Sequence, residues 1–85
     1  MRVSLSPQFR KQFRKLEQLL QEEILEKIEL FEKPINHKQL KVHKLHGRLA
    51  GRYSFFVNYK FRIVFMYLSK NEVTLLAVGD HDVYK

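Results

Sequence analysis

From Tyr53 to Tyr67 an apolar residue stands at every second position: Tyr53, Phe55, Val57, Tyr59, Phe61, Ile63, Phe65 and Tyr67. Ser54, Asn58, Lys60 and Arg62 fall between them. A period of two belongs to extended strands with one face buried. The run is fifteen residues long, whereas an ordinary strand has about 5–6, so it must fold back on itself. Asn58–Lys60 supplies the turn, which makes the run a hairpin. A lone hairpin is marginal in water, so further strands and a cover for the apolar face are required.

The flanks supply both. Val3–Leu5 is a short β-prone segment, and Ser6-Pro7 reads as an N-cap followed by proline at the first helical position. Phe9, Phe13 and Leu16 follow at helical spacing. A second helix is expected from Glu17 to Glu32, its apolar stripe formed by Leu16, Leu20, Ile24, Ile28 and Phe31, with Leu19 beside it. Pro34 disfavours helix at Lys33 and ends it. Leu40–Leu45 is expected as a strand, the glycine-bearing stretch 46–52 as a connection, Asn71 as a turn, and Val73–Val78 as a final, central strand. The order is β-α-α-β-β-β-β. The expected fold is α+β, with two N-terminal helices packed on a small, mainly antiparallel sheet of four to five strands, in a single domain over residues 1–85.

Charge narrows the function. The net charge of +7 is unevenly placed: residues 1–33 hold seven Lys/Arg against six Glu, and residues 34–85 hold nine against three acids. No Asp or Glu occurs between Lys33 and Asn71, where His37, His43 and His46 also lie. A one-sided basic field attracts polyanions, nucleic acid above all; the plainer readings are a solvated basic surface or a face for an acidic protein. With no cysteine there is no disulfide framework and no thiolate metal site, which fits a reducing cytoplasm. Arg2, Ser4 and Ser6 break the first apolar run, so no secretory leader is expected, and no stretch is apolar enough for a membrane span.

The end of the chain, VGDHDVYK, places a histidine between two aspartates after a hydrophobic strand. If that strand continues to Asp82, Asp80 and Asp82 point one way and His81 the other, which argues against a metal site. No serine or cysteine nucleophile motif and no phosphate-cradling glycine loop is present. His, Arg, Lys and Tyr remain. Those groups suit cleavage of RNA by its own 2′-hydroxyl: a base takes the 2′ proton, a cation stabilises the phosphorane, and an acid protonates the leaving 5′ oxygen. Neither a cofactor nor a metal is needed. Each residue also has a plain structural role open to it. His81 would cap the strand, Arg62 would sit on an exposed strand face, Tyr84 would anchor the tail, and His43 and His46 would lie on a basic surface.

The assembled pieces SPQFRKQFRKL, HKLHGRLAGRYSFFVNYKFRIVF and VTLLAVGDHDVYK resemble the RelE/ParE superfamily of bacterial toxin–antitoxin toxins over nearly the whole chain. The resemblance implies a ribosome-dependent mRNA endonuclease, and the site is most similar to that of the YafQ-like branch. It places His43, Arg62, His81 and Tyr84 at functional positions. Lys41, Lys44, His46, Arg48, Arg52 and Lys60 become the expected RNA-backbone contacts. It further implies a cognate antitoxin and the ribosome, with its mRNA and rRNA, as partners. Three positions depart: Ser54 and Phe56 stand where relatives have lysines or a further histidine, and Lys60 stands where the YafQ-like branch has an acid. Two rivals follow, a ParE-like gyrase inhibitor and a catalytically silent relative that only binds RNA or its partner.

Overall fold

The structure, a computed structural model, describes residues 1–84, and of His81 the backbone alone. Strand β1 (Arg2–Leu5) leads into helices α1 (Pro7–Arg14) and α2 (Gln18–Phe31). Four strands follow: β2 (His43–Lys44), β3 (Tyr53–Phe56), β4 (Arg62–Ser69) and β5 (Glu72–Gly79). They form one sheet in the order β1-β5-β4-β3-β2, in which β1 runs parallel to β5 and the other neighbours are antiparallel. The α+β expectation and the element order hold. β5 is paired on both sides, as expected of an apolar strand, although the middle strand of the sheet is β4.

Local chemistry sets the element ends. The Ser6 hydroxyl caps α1 by accepting the Phe9 N–H at 3.0 Å, and it donates to the Leu76 carbonyl at 3.1 Å. One side chain thus starts the helix and ties it to β5. Lys33, the residue before Pro34, is extended at φ −104° and ψ 112°, which stops α2. In the hairpin loop, Asn58 Oδ1 accepts the N–H groups of Lys60 (2.9 Å) and Phe61 (2.8 Å). Such an Asx turn is why the chain reverses there.

The helices cover one face of the sheet. Phe9, Ile24, Ile28 and Phe31 meet Phe55, Ile63, Phe65, Val73, Leu75 and Val78 in the core. Phe31 stacks on Phe55 at 4.2 Å and meets Phe65 edge-on at 4.7 Å. His37 belongs to this core edge: its ring stacks on Phe31 at 4.8 Å, and Nε2 donates to the Phe31 carbonyl at 2.8 Å.

Two expectations are corrected. The strand expected over Leu40–Leu45 shrinks to His43–Lys44. Lys41 takes φ 56°, a left-handed conformation that breaks extended structure, and Leu40 is buried in the core instead. The last strand stops at Gly79, and residues 81–84 form a 3₁₀ turn. Asp80 opens that turn, its carboxylate accepting the Asp82 N–H at 3.1 Å and its carbonyl the Val83 N–H at 3.0 Å. The alternation of faces through Asp80–Asp82 therefore does not exist.

Candidate functional site

Register puts the candidate residues on the sheet face turned away from the helices. Residues directly opposite in a ladder share a face. His43 pairs with Ser54, Ser54 with Val64, and Val64 with Ala77. The adjacent row runs Phe56, Arg62, Gly79. The C-terminal turn packs back over β4 and β5, and Tyr84 reaches the first row: its phenol oxygen lies 2.9 Å from Ser54 Oγ.

His43 is exposed, and its Nδ1 lies 2.7 Å from the Lys41 carbonyl. A carbonyl only accepts, so Nδ1 carries the proton. In the neutral ring Nε2 is then the unprotonated nitrogen, the one able to take a proton. The left-handed Lys41 backbone thus presents the carbonyl that sets the tautomer.

Arg62 is half-buried. Its Nη1 donates to the carbonyls of Asn58 and Phe61 (3.0 Å to the latter), and its guanidinium carbon lies 4.6 Å from the Phe56 ring centre. Lys41 Nζ lies 5.3 Å from the same ring. Phe56 is therefore a platform carrying two cations. The arginine is held from one side, and its remaining N–H groups are donors of fixed charge for a phosphate.

Ser54 is fully buried, and its hydroxyl has Tyr84 as its partner among the described residues. If Tyr84 donated, the serine proton would be buried without an acceptor, at a cost of about 1–3 kcal/mol. Ser54 therefore donates to the phenol oxygen, which leaves the O–H of half-buried Tyr84 for solvent or a ligand. Sequence reasoning missed both this pair and the Phe56 platform. It had placed Ser54 and Phe56 at the site positions, but their partners lie on other elements.

The structure divides the other candidates. Lys41, Lys44, His46, Arg48, Arg52 and Lys60 are all exposed, and none is held in an ion pair among the described residues. Lys41 joins Arg62 at Phe56. Arg52 reaches the site face, where it lines a cleft with Val64 and Ala77. Lys44 pairs with Tyr53, on the helix side of the sheet, so it faces away from His43. Lys60 lines a groove with Glu17 and Glu23 beside α2 and is 5.8 Å from the Phe61 ring centre. His46 precedes the 3₁₀ turn Gly47–Leu49, which contains Arg48. The side chain of His81 lies outside the described residues. No group of three or more His, Cys, Asp or Glu converges on a possible metal position among the described residues.

Searches against protein families and curated protein sequences return no match. Solved structures do match. The chain is similar to one in the archaeal RelE–RelB complex from Pyrococcus horikoshii OT3, at a TM-score of 0.71 and 20% identity, covering 93% of this chain and 92% of that one. A chain of the YoeB–YefM complex from Staphylococcus aureus gives 0.73 at 20% identity, covering 95% and 97%. A YafQ mutant from E. coli gives 0.71 at 16%, covering 99% and 98%. The chain has a RelE-like fold. The site face is the surface opposite α2, and the first turn of α1 reaches its rim through Gln8. No helix among the described residues is long and apolar enough to cross a membrane.

Proposed function

We propose that the chain is the toxin of a type II toxin–antitoxin pair and cleaves mRNA on the ribosome. The observation that carries this reading is the convergence on one sheet face of Arg62, held at Phe56 beside Lys41, with His43 in the tautomer of a base and Tyr84 positioned by Ser54. The RelE-type fold supports it.

In this reading the substrate phosphodiester lies over Phe56, between Arg62 and Lys41. His43 Nε2 takes the 2′ proton as the 2′ oxygen attacks phosphorus. Arg62 donates to the non-bridging oxygens as charge develops on them. Tyr84 or His81 returns a proton to the leaving 5′ oxygen, and the products are a 2′,3′-cyclic phosphate and a free 5′-hydroxyl. Proton transfer by a placed group contributes about 10²–10⁴-fold. The ribosome supplies the orientation that a small open face lacks. A cognate antitoxin neutralises the toxin by covering this face or displacing the C-terminal turn, and both act in the cytoplasm.

A second reading, a relative that binds RNA without cutting it, is favoured by Ser54 and Phe56, which put no titratable group at the centre of the face. Expression in a bacterial host separates the readings. Growth arrest with mRNA fragments ending in cyclic phosphate supports the toxin nuclease. Arrest with a DNA-damage response and intact mRNA identifies a gyrase inhibitor. Unimpaired growth identifies the silent relative.

A further inference from the structure

Beside the Ser54–Tyr84 pair, the site face sinks into a cleft of about 250 Å³. Its apolar lining is Val64, Leu76 and Ala77 from the sheet, Leu49 from the 3₁₀ turn before β3 and Val83 from the C-terminal turn, with Gln8 and Arg52 as its polar members. Leu76 is the extra residue of a β-bulge, since Val64 pairs with Ala77 while Phe65 pairs with Leu75. Bulges re-aim side chains beside functional sites. Gln8, in the first turn of α1, and Arg52, just before β3, are both exposed and have no hydrogen-bond or ionic partner for their side chains among the described residues.

We infer that this cleft is a nucleobase site, built to hold one unstacked base of a single-stranded RNA, with guanine the preferred occupant. The inference rests on the reading of this face as an RNA surface. Size is the first argument. Drug-sized ligands need about 300–1,000 Å³, so this cleft holds a base but not a whole nucleotide. Lining is the second: single-stranded RNA is read by splayed bases packed on flat or apolar side chains, with polar groups at their edges. Charge is the third. Arg52 is a donor only, and guanine alone among the bases offers two adjacent acceptors, O6 and N7, to a guanidinium fork. Adenine sets an N6 donor beside N7 and opposes it. The Gln8 amide, with both a donor and an acceptor, matches the N1–H and N2–H₂ edge through its oxygen. Position is the fourth. Val64 is the register partner of Ser54 and Val83 precedes Tyr84, so a base seated here puts its sugar and phosphate beside the phenol.

The test is an NMR titration of the intact ¹⁵N-labelled protein with GMP, AMP, CMP and UMP, and with inorganic phosphate as a control. GMP is expected to shift the amides of Val64, Leu76, Ala77 and Val83, while phosphate shifts only residues of the basic surface. Arg52→Ala is expected to weaken GMP about tenfold and to erase its advantage over UMP. Gln8→Ala, an exposed change on the first turn of α1, is expected to narrow the preference for GMP. Cleft amides that stay still under GMP, or that move equally with phosphate alone, would overturn the inference. The titration needs no cleavage. If GMP seats in the cleft of a protein that cuts no mRNA, the nuclease reading falls and the base site stands. If the protein cuts mRNA but leaves the cleft amides unmoved, the base site alone falls.

Discussion

At the scale of single residues, the buried Ser54 hydroxyl decides how Tyr84 is used. Removing either partner breaks one hydrogen bond, but the two losses are unequal. Tyr84→Phe strands a buried hydroxyl and should cost about 1–3 kcal/mol. Ser54→Ala leaves a half-exposed phenol that water can satisfy and should cost about 0.5–1.5 kcal/mol. Urea denaturation of both variants measures the difference, and a larger loss for Ser54→Ala would reverse the donor assignment. Tyr67 offers a separate check by pH. Burial, and then the neighbouring Tyr53, raises its phenol above the ordinary tyrosine value. Folding therefore favours the protonated phenol. The contribution is complete below the unfolded-state value near 10 and is lost as pH rises through the higher folded-state value. Stability should fall above about pH 10, and less steeply in Tyr67→Phe. Equal alkaline slopes would remove Tyr67 from the account. His43 and Arg62 were legible as candidates because the family resemblance rests on local motifs, HKLHG and the alternating run, that are visible without a fold. The Ser54–Tyr84 bond was not. It spans 30 residues, and no local period records a pairing made by tertiary approach.

At the scale of elements, the alternating run was legible because strand periodicity is a property of consecutive residues. Its turn at Asn58–Lys60 and its two faces came out as expected. The helix that covers it was equally plain, and Phe31 is the residue that joins the two. Truncation of this fully buried ring, Phe31→Ala, should cost about 3–5 kcal/mol in thermal or denaturant unfolding. The strand at Leu40–Leu45 was misread for a definite reason. The left-handed conformation of Lys41 leaves no mark in a sequence, because glycine or asparagine would be the usual signal. The same fact gives a prediction with two signs. Lys41→Gly should relieve the backbone, raising stability by up to about 1 kcal/mol, while weakening RNA binding through loss of the cation on Phe56. A change of the same sign in both would contradict the assignment.

At the scale of the whole molecule, charge is unevenly placed along the chain: residues 1–33 are near balance, and residues 34–85 carry most of the net +7. The carboxylates of Glu22, Glu26, Glu29 and Glu32 are exposed on or just beyond α2, and the Lys33–Asn71 segment, which carries Lys41, His43 and Arg62, has none. A polyanion is drawn to the basic segment. With Lys41, Arg52 and Arg62 as the cations available to it, single-stranded RNA should bind with a log–log salt slope of about −2. Lys60→Ala should leave that slope unchanged, since Lys60 lines the α2 groove, whereas Arg52→Ala should reduce it by about 0.7. Fluorescence anisotropy at several salt concentrations gives both values. The central claim is the chemistry of the face, and cleavage-site mapping of a reporter mRNA on translating ribosomes tests it most directly, comparing wild type with Arg62→Ala. The account predicts cuts spaced by codons in the wild type and at least a hundredfold loss in the variant, as expected when a donor aimed at developing charge is removed. Cuts that persist undiminished in Arg62→Ala, or an intact message under wild-type protein, would contradict it.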